Sequence, residues 1–282
     1  MVRVILAVVI VLGAARAEAK PAAFTAEVSG VTAARAVILI PGLGCPGSVW
    51  TQTAAHLGKT YEVHVLSLAG FAGAAPIDRP IPSAVKDDVI AYIKDKHLDK
   101  PAIVGHSMGG FVALWIAEAA PALIGSVIVV DSGPTLGGGD PDMVPFAQAR
   151  RDEYKKMDTK TFAATIRERF SPMFSDPRKP AHDAILAAVA RSDQHAYAEA
   201  LYEISTVDLR PNVSKITAPA LLLLANSGTP REDKLVKWIS DQMKPAKKLE
   251  VVVLATRHFV MHDDFAGFSK ALDQFLRSHT GT

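Results

Sequence analysis

One cysteine, Cys45, stands among 282 residues. A chain with a single thiol closes no internal disulfide, so its fold must rest on a packed core rather than on covalent staples. Cys45 itself reads as a small, partly buried hydrophobe. An excess of charge is lacking too: 31 Lys and Arg face 29 Asp and Glu, a formal net charge of +2. There is no run of like charge, and no aromatic residues interleave with basic ones, so nucleic acid is not an expected partner. Downstream of the N-terminal segment, no uninterrupted apolar stretch reaches the roughly 20 residues that span a bilayer. Zinc-like ligand spacing is missing as well. His258, His262, Asp263 and Asp264 cluster in sequence but find no partner ligands elsewhere, so no metal is expected. Internal repeats and low-complexity tracts are absent.

What is present is globular composition with a sizeable core: 49% hydrophobic and 21% charged residues. The length suits one large domain, or one domain carrying an inserted subdomain. The N-terminus has the pattern of a signal peptide. Arg3 supplies a basic start, Val4 to Leu12 an apolar run, and Ala14 to Ala19 are mostly small, with two small-x-small cleavage patterns. The apolar run is too short to anchor. The expectation is that residues 1–19 are removed, that the mature chain begins near Lys20, and that the protein is exported, to the periplasm or beyond.

Short apolar runs then alternate with helical patterns. Ala36–Ile40, Tyr61–Leu66, Ala102–Val104, Val127–Val130, Ala220–Ala225 and Leu249–Leu254 read as buried strands. Ser83–His97, Phe111–Ala119 and Phe265–Arg277 read as helices. Continuous Val/Ile/Leu strands alternating with helices predict an α/β fold: a mostly parallel, twisted sheet with helices on both faces. The stretch from Ser132 to Val213 breaks this rhythm, with helical patterns at Phe146–Met157, Thr161–Phe170, Ala181–Ser192 and His195–Ile204. It predicts a helical cap over 136–213, inserted between core segments 20–135 and 214–282.

Gly105-His106-Ser107-Met108-Gly109 has the Gly-x-Ser-x-Gly pattern, with a strand-like run before it and a helix-like run after it. A strand turning this sharply into a helix holds Ser107 in a strained conformation, and the glycines remove side chains that would clash across the turn. The serine hydroxyl then stands free at the strand end, and the Met108 N–H, at the start of the new helix, can face a developing oxyanion. A serine needs an adjacent base. His258 follows the Leu249–Leu254 run by a short loop, which brings it to the same sheet edge as Ser107. His106 reads as structural.

These segments resemble the α/β-hydrolase superfamily. Leu39-Ile40-Pro41-Gly42-Leu43-Gly44 is similar to its oxyanion loop, with Pro41 where His usually stands. Met108 to Pro121 is similar to its nucleophile helix, Asp208 through Pro219 to the approach to a late strand, and Arg257 to Met261 to its terminal histidine segment. The resemblance implies the hydrolase fold with a helical cap, and Leu43 N–H as the second oxyanion donor beside Met108.

The acid departs from the family's usual pattern. The loop after Ala220–Ala225 reads Asn226 to Asp233, with no carboxylate in its first residues. Thr229-Pro230-Arg231-Glu232 is a capping box with Pro at the first helical position, which accounts for Glu232. An acid directly after Val127–Val130 is the superfamily's second option, and Asp131 stands there. The assignment is therefore Ser107, Asp131 and His258, with Asp233 as the alternative acid. Asp208 is expected to pair locally near Arg210.

The implied chemistry is cofactor-free hydrolysis of a carboxylic ester or related acyl or lactone substrate, through an acyl-enzyme on Ser107. The partner is a small ester-like molecule with an apolar part, since Phe146, Tyr154, Phe162, Phe170, Met173, Phe174, Tyr197 and Tyr202 are the large residues available to roof a pocket. The alternative is a non-catalytic or single-turnover small-molecule-binding protein on the same fold.

Overall fold

The computed structural model describes residues 21–136 and 140–279. The signal-peptide reading of 1–19 lies outside the described residues. Seven strands form one sheet: β1 (Phe24–Gly30), β2 (Ala36–Ile40), β3 (Glu62–Leu68), β4 (Ala102–His106), β5 (Ser126–Val130), β6 (Ala220–Ala225) and β7 (Leu249–Leu254), in spatial order β1-β3-β2-β4-β5-β6-β7. Only β1 runs antiparallel, pairing Phe24 with Leu68 and Gly30 with Glu62. β2, β4 and β5 are buried along their whole length. That is why they read as unbroken Val/Ile/Leu runs rather than as alternating patterns.

Both edges of the sheet differ from the sequence expectation. β1, Phe-Thr-Ala-Glu-Val-Ser-Gly, is an additional strand whose residues are mostly exposed. β7 was expected to be a buried strand, but it closes the other edge, and Val251 and Val253 are 40% and 45% exposed. Three consecutive valines satisfy a buried strand and an edge strand equally, because β-branched residues favour any pleated surface.

Helices α1 (Thr51–Leu57), α2 (Ile81–Asp95), α3 (Met108–Ala119), α8 (Pro230–Met243), α9 (Val260–Asp263) and α10 (Phe265–Ser278) belong to the core. α2 and α3 pack on each other, and α3 also lies against β2, β4 and β5. α1 meets α10 elsewhere, where His56 Nε2 sits 2.9 Å from Asp273 Oδ1. α10 buries Phe268, Leu272, Phe275 and Leu276, a stripe one helix face wide. Its start is fixed by Asp264, whose side chain accepts from Gly267 N–H at 2.9 Å.

β5 and β6 are neighbours in the sheet, yet 89 residues separate Val130 from Ala220 in the chain, residues 131–219. Into that connection fold α4 (Val144–Lys156), α5 (Thr159–Phe170), α6 (Pro180–Val189) and α7 (Gln194–Thr206). Asp158 caps α5 and Asp193 caps α7, each accepting from two backbone N–H groups of the first turn. Tyr154, Phe162 and Tyr197 pack edge to face at the centre of this cap. The cap is tied to the core at several points, and one of them is a corner around Ser192. Ser192 Oγ donates to Gly44 O at 3.2 Å and accepts from Ala72 N–H at 3.0 Å, while Asp193 N–H donates to Gly70 O at 2.8 Å.

Glu118, near the end of α3, is the acidic group least at ease in this core. Its side chain is buried, and Oε1 has no hydrogen-bond partner. Burial, reinforced by the charge of Asp208 and opposed by Lys215, pushes its carboxyl up from 4.5 to about 8. A carboxyl raised on folding favours the folded state below its unfolded value, and the advantage is lost as pH climbs through the folded value. The contribution of Glu118 to stability should therefore decline between about pH 4.5 and about pH 8. Thermal melts of Glu118→Gln across that window should fall less with rising pH than those of the unaltered protein; parallel curves would contradict the assignment.

Candidate active site

Parallel β2, β4, β5, β6 and β7 end on one side of the sheet, so the loops that follow them meet there. Ser107 follows β4, with φ +54° and ψ −121°, a left-handed backbone that a non-glycine residue adopts only under constraint. The constraint is visible. Ser107 N–H donates to Val130 O at 2.9 Å, and Ser107 O accepts from Phe111 N–H at 3.0 Å, so strand and helix ladders grip the residue from both sides. A Cβ on Gly105 would fall 2.0 Å from Gly109 O, and one on Gly109 would fall 2.2 Å from Ile40 O. Both glycines are thus required by backbone approach. Since α3 begins at Met108, the Met108 N–H has no acceptor within its own helix.

The loop after β2 lies directly against this turn. A Cβ on Gly42 would sit 3.3 Å from Ser107 Cβ and 3.1 Å from His106 Nδ1. Leu43 follows it and lines the same cavity as Ser107.

Asp131 follows β5 with φ +47°, another strained residue. Its N–H donates to Leu223 O at 2.8 Å, and its Oδ1 accepts from Ala225 N–H at 2.9 Å. The other oxygen, Oδ2, lies 2.6 Å from His258 Nδ1. A carboxylate can only accept there, so Nδ1 carries the proton and Nε2 is left with its lone pair. The His258 loop is pinned on its other side. Arg257 Nη1 donates to Pro172 O at 2.9 Å, and Arg257 N–H donates to Asp263 Oδ2 at 3.0 Å.

His106 is part of this support. Its Nε2 donates to His258 O at 2.9 Å, and the two rings lie 4.6 Å apart between centroids. Burial first, and the neighbouring His258 second, hold its pKa well below the ordinary imidazole value. It stays neutral and braces the backbone of His258, a role that a position beside the serine does not reveal.

The cavity over these residues has a volume of about 510 Å³. Ser107 and His258 both line it, though among the described residues no hydrogen bond joins Ser107 Oγ to His258 Nε2.

Asp233, the alternative acid, lies on α8 and accepts from Asn226 Nδ2 at 2.8 Å. The capping box of Thr229 and Glu232 forms as read from the sequence. Asp208 pairs with Arg210 at 2.8 Å. His262 turns away from His258, its Nε2 2.9 Å from Val49 O. Cys45 is 1% exposed on the cavity wall, and burial pushes its thiol up to about 12.

Of the large cap residues, Tyr154, Phe170, Met173 and Tyr197 line the cavity. Phe162 is buried within the cap, Phe174 stacks on Phe259 with centroids 3.9 Å apart, Tyr202 lies beneath Arg151, and Phe146 is 69% exposed. Arg150 and Arg169, which composition did not single out, also line the cavity.

The profile of the Alpha/beta hydrolase family matches residues 37–271. The chain belongs to that family. It is 27% identical over 252 residues to the pimeloyl-[acyl-carrier protein] methyl ester esterase of Aliivibrio fischeri, covering 86% of this hydrolase and 94% of that protein. It is 25% identical over 190 residues to 3-oxoadipate enol-lactonase 2 of Acinetobacter baylyi, covering 67% and 69%. Among solved structures, a thermophilic esterase from Thermogutta terrifontis superposes with a TM-score of 0.77 at 18% identity, over 91% of this chain and 94% of that one. At that identity the likeness is one of fold.

The turn around Ser107 supplies a direct test of its packing. Gly109→Ala would place a methyl group against the carbonyls of Ile40 and Pro41, at 2.2 and 2.6 Å, where backbone cannot yield locally. Urea denaturation should show a loss of about 1–3 kcal/mol or more. Unchanged stability would mean that the loop after β2 is free to move away.

Proposed function

We propose that this protein is a serine hydrolase that cleaves a carboxylic ester, or a lactone, through an acyl-enzyme on Ser107. The observation that carries the reading is the 2.6 Å hydrogen bond from His258 Nδ1 to Asp131 Oδ2, beside a cavity that Ser107 lines. Asp131 fixes the imidazole tautomer so that Nε2 is the basic nitrogen, and it stabilises the imidazolium that forms. His258 takes the hydroxyl proton as Ser107 Oγ attacks the substrate carbonyl. The negative charge that develops on the carbonyl oxygen is held by the Met108 and Leu43 N–H groups, the first at the positive end of α3. Collapse of the tetrahedral intermediate breaks the ester bond, and His258 returns the proton to the departing alcohol. A water deprotonated by His258 then attacks the acyl-enzyme carbonyl, and the acid leaves with Ser107 restored. The esterase and lactonase named among the relatives support an ester-like substrate, and the cavity's aromatic and aliphatic walls support one with an apolar part.

A non-catalytic binding protein on this fold is the second reading, and the lack of a hydrogen bond from Ser107 Oγ to His258 among the described residues is the feature that favours it. A fluorophosphonate separates the two, because an activated serine labels stoichiometrically and a relic does not. Ser107→Ala should abolish p-nitrophenyl ester turnover while leaving the melting temperature close to that of the unaltered protein; retained turnover would remove Ser107 from the reaction.

Asp131→Asn should lower kcat by about four orders of magnitude, since the amide favours the wrong imidazole tautomer. Asp233→Asn should leave kcat within a few-fold. The opposite ranking would move the acid to α8.

A further inference from the structure

The cavity wall carries two guanidinium groups and no carboxylate. Arg150 comes from α4 and Arg169 from α5, and both face a space otherwise lined by groups such as Phe170, Leu201 and Ile204. Other arginines of the same helices are neutralised: Arg151 pairs with Asp152, and Arg167 with Asp183. Among the described residues neither Arg150 nor Arg169 has an ion-pair partner. Arg169 is also held in place. Its guanidinium lies over the ring of Tyr154, 5.4 Å from the centroid, and Tyr154 is itself buried and clamped edge-on by Phe162 and Tyr197. Both positive charges act on the phenol groups of Tyr154 and Tyr197, so the two arginines share one neighbourhood.

Two like charges converging from separate helices on one largely apolar space repel each other, and a bound anion turns that repulsion into attraction. Guanidinium is the group best shaped to take an oxyanion, through paired N–H donors in a planar fork. We propose that the substrate of this hydrolase bears an anionic oxyacid group, a carboxylate or a phosphate, remote from the scissile carbonyl, and that Arg150 and Arg169 hold it while the apolar wall takes the spacer between. The inference rests on the reading of Ser107 as nucleophile, because it places the reacting carbonyl on the core side of the cavity and the anion on the cap side. It narrows the substrate class from esters in general to half-esters of diacids and to esters with a phosphate on one arm. Arg150 and Arg169 are then specificity-determining residues, fixed to the cap rather than to the catalytic loops.

Binding and turnover test this separately. In Ser107→Ala protein, calorimetry should show monomethyl glutarate binding more tightly than the neutral dimethyl ester. The Arg150→Gln/Arg169→Gln double variant should weaken the half-ester by about ten- to a hundredfold and erase its advantage. Lysine at both positions should restore part of it. Glutarate and butyl phosphate as competitors distinguish the two sources of the anion, the tighter one naming the group. In the active protein, the ratio of kcat/KM for the half-ester over the diester should fall to about one in the double variant. Equal binding of half-ester and diester by the arginine-containing protein, or an anion preference that survives the double substitution, would overturn the proposal. Arginine-dependent binding with no turnover of any ester would sink the hydrolytic reading and leave the anion site standing. Turnover of neutral esters without an anion preference would do the reverse. Both side chains are exposed, so circular dichroism of the variants should match the parent and exclude misfolding as the cause.

Discussion

The contact between Asp131 Oδ2 and His258 Nδ1 joins residues 127 positions apart in the chain, and the proposed chemistry of the cavity depends on it. The carboxylate is not free to choose its direction. Its other oxygen is held by the N–H of Ala225 on β6, and its own N–H is held by Leu223 O, so the neighbouring strand aims the side chain. An acid placed at the end of β5 can serve His258 only because β6 lies beside β5 and β7 beside β6. The sheet order therefore sets the tautomer of the imidazole.

Backbone proximity governs the serine in a similar way. Gly42, Gly105 and Gly109 each sit where a side chain would strike Ser107, its flanking backbone or the carbonyls of the neighbouring loop. The price of that crowding is strain, seen in the positive φ of Ser107 and of Asp131. Both residues stand at the ends of fully buried parallel strands, the part of the molecule with most packing to resist it. The two-sided burial that makes these strands legible in the sequence is thus the same feature that holds a strained site in shape.

In the proposed reaction the cap supplies selectivity and the core loops reactivity. The cap's aromatic centre is packed edge to face, and it meets the core through hydrogen bonds around Ser192 and Asp193, through Arg257 on Pro172 O and Asp263 on Ser175 N–H, and through the stacking of Phe174 on Phe259. Such a joint fixes where the cap stands while leaving its inner face to vary without disturbing the elbow. His106 does a complementary job on the core side: neutral and buried, it props the carbonyl of His258 without competing for protons.

Much of this was legible before any coordinates. The buried strands, the strand-to-helix turn at Ser107, the break in rhythm between β5 and β6 and the Thr229–Glu232 capping box all follow from local composition, because backbone geometry and burial act over a few neighbouring residues. β1 was hidden because its exposed, polar-rich alternation carries little hydrophobic signal, and the edge position of β7 because valine suits both edge and interior. Strand-end position already put Asp131 forward as the partner of His258, with Asp233 as the alternative, and the tertiary structure supplied the contact itself; the brace from His106 and the placing of Arg150 and Arg169 on one cavity wall were decided by tertiary structure alone. Each joins groups from different elements, and the distance between such groups depends on strand order and helix packing, which no short stretch of sequence encodes.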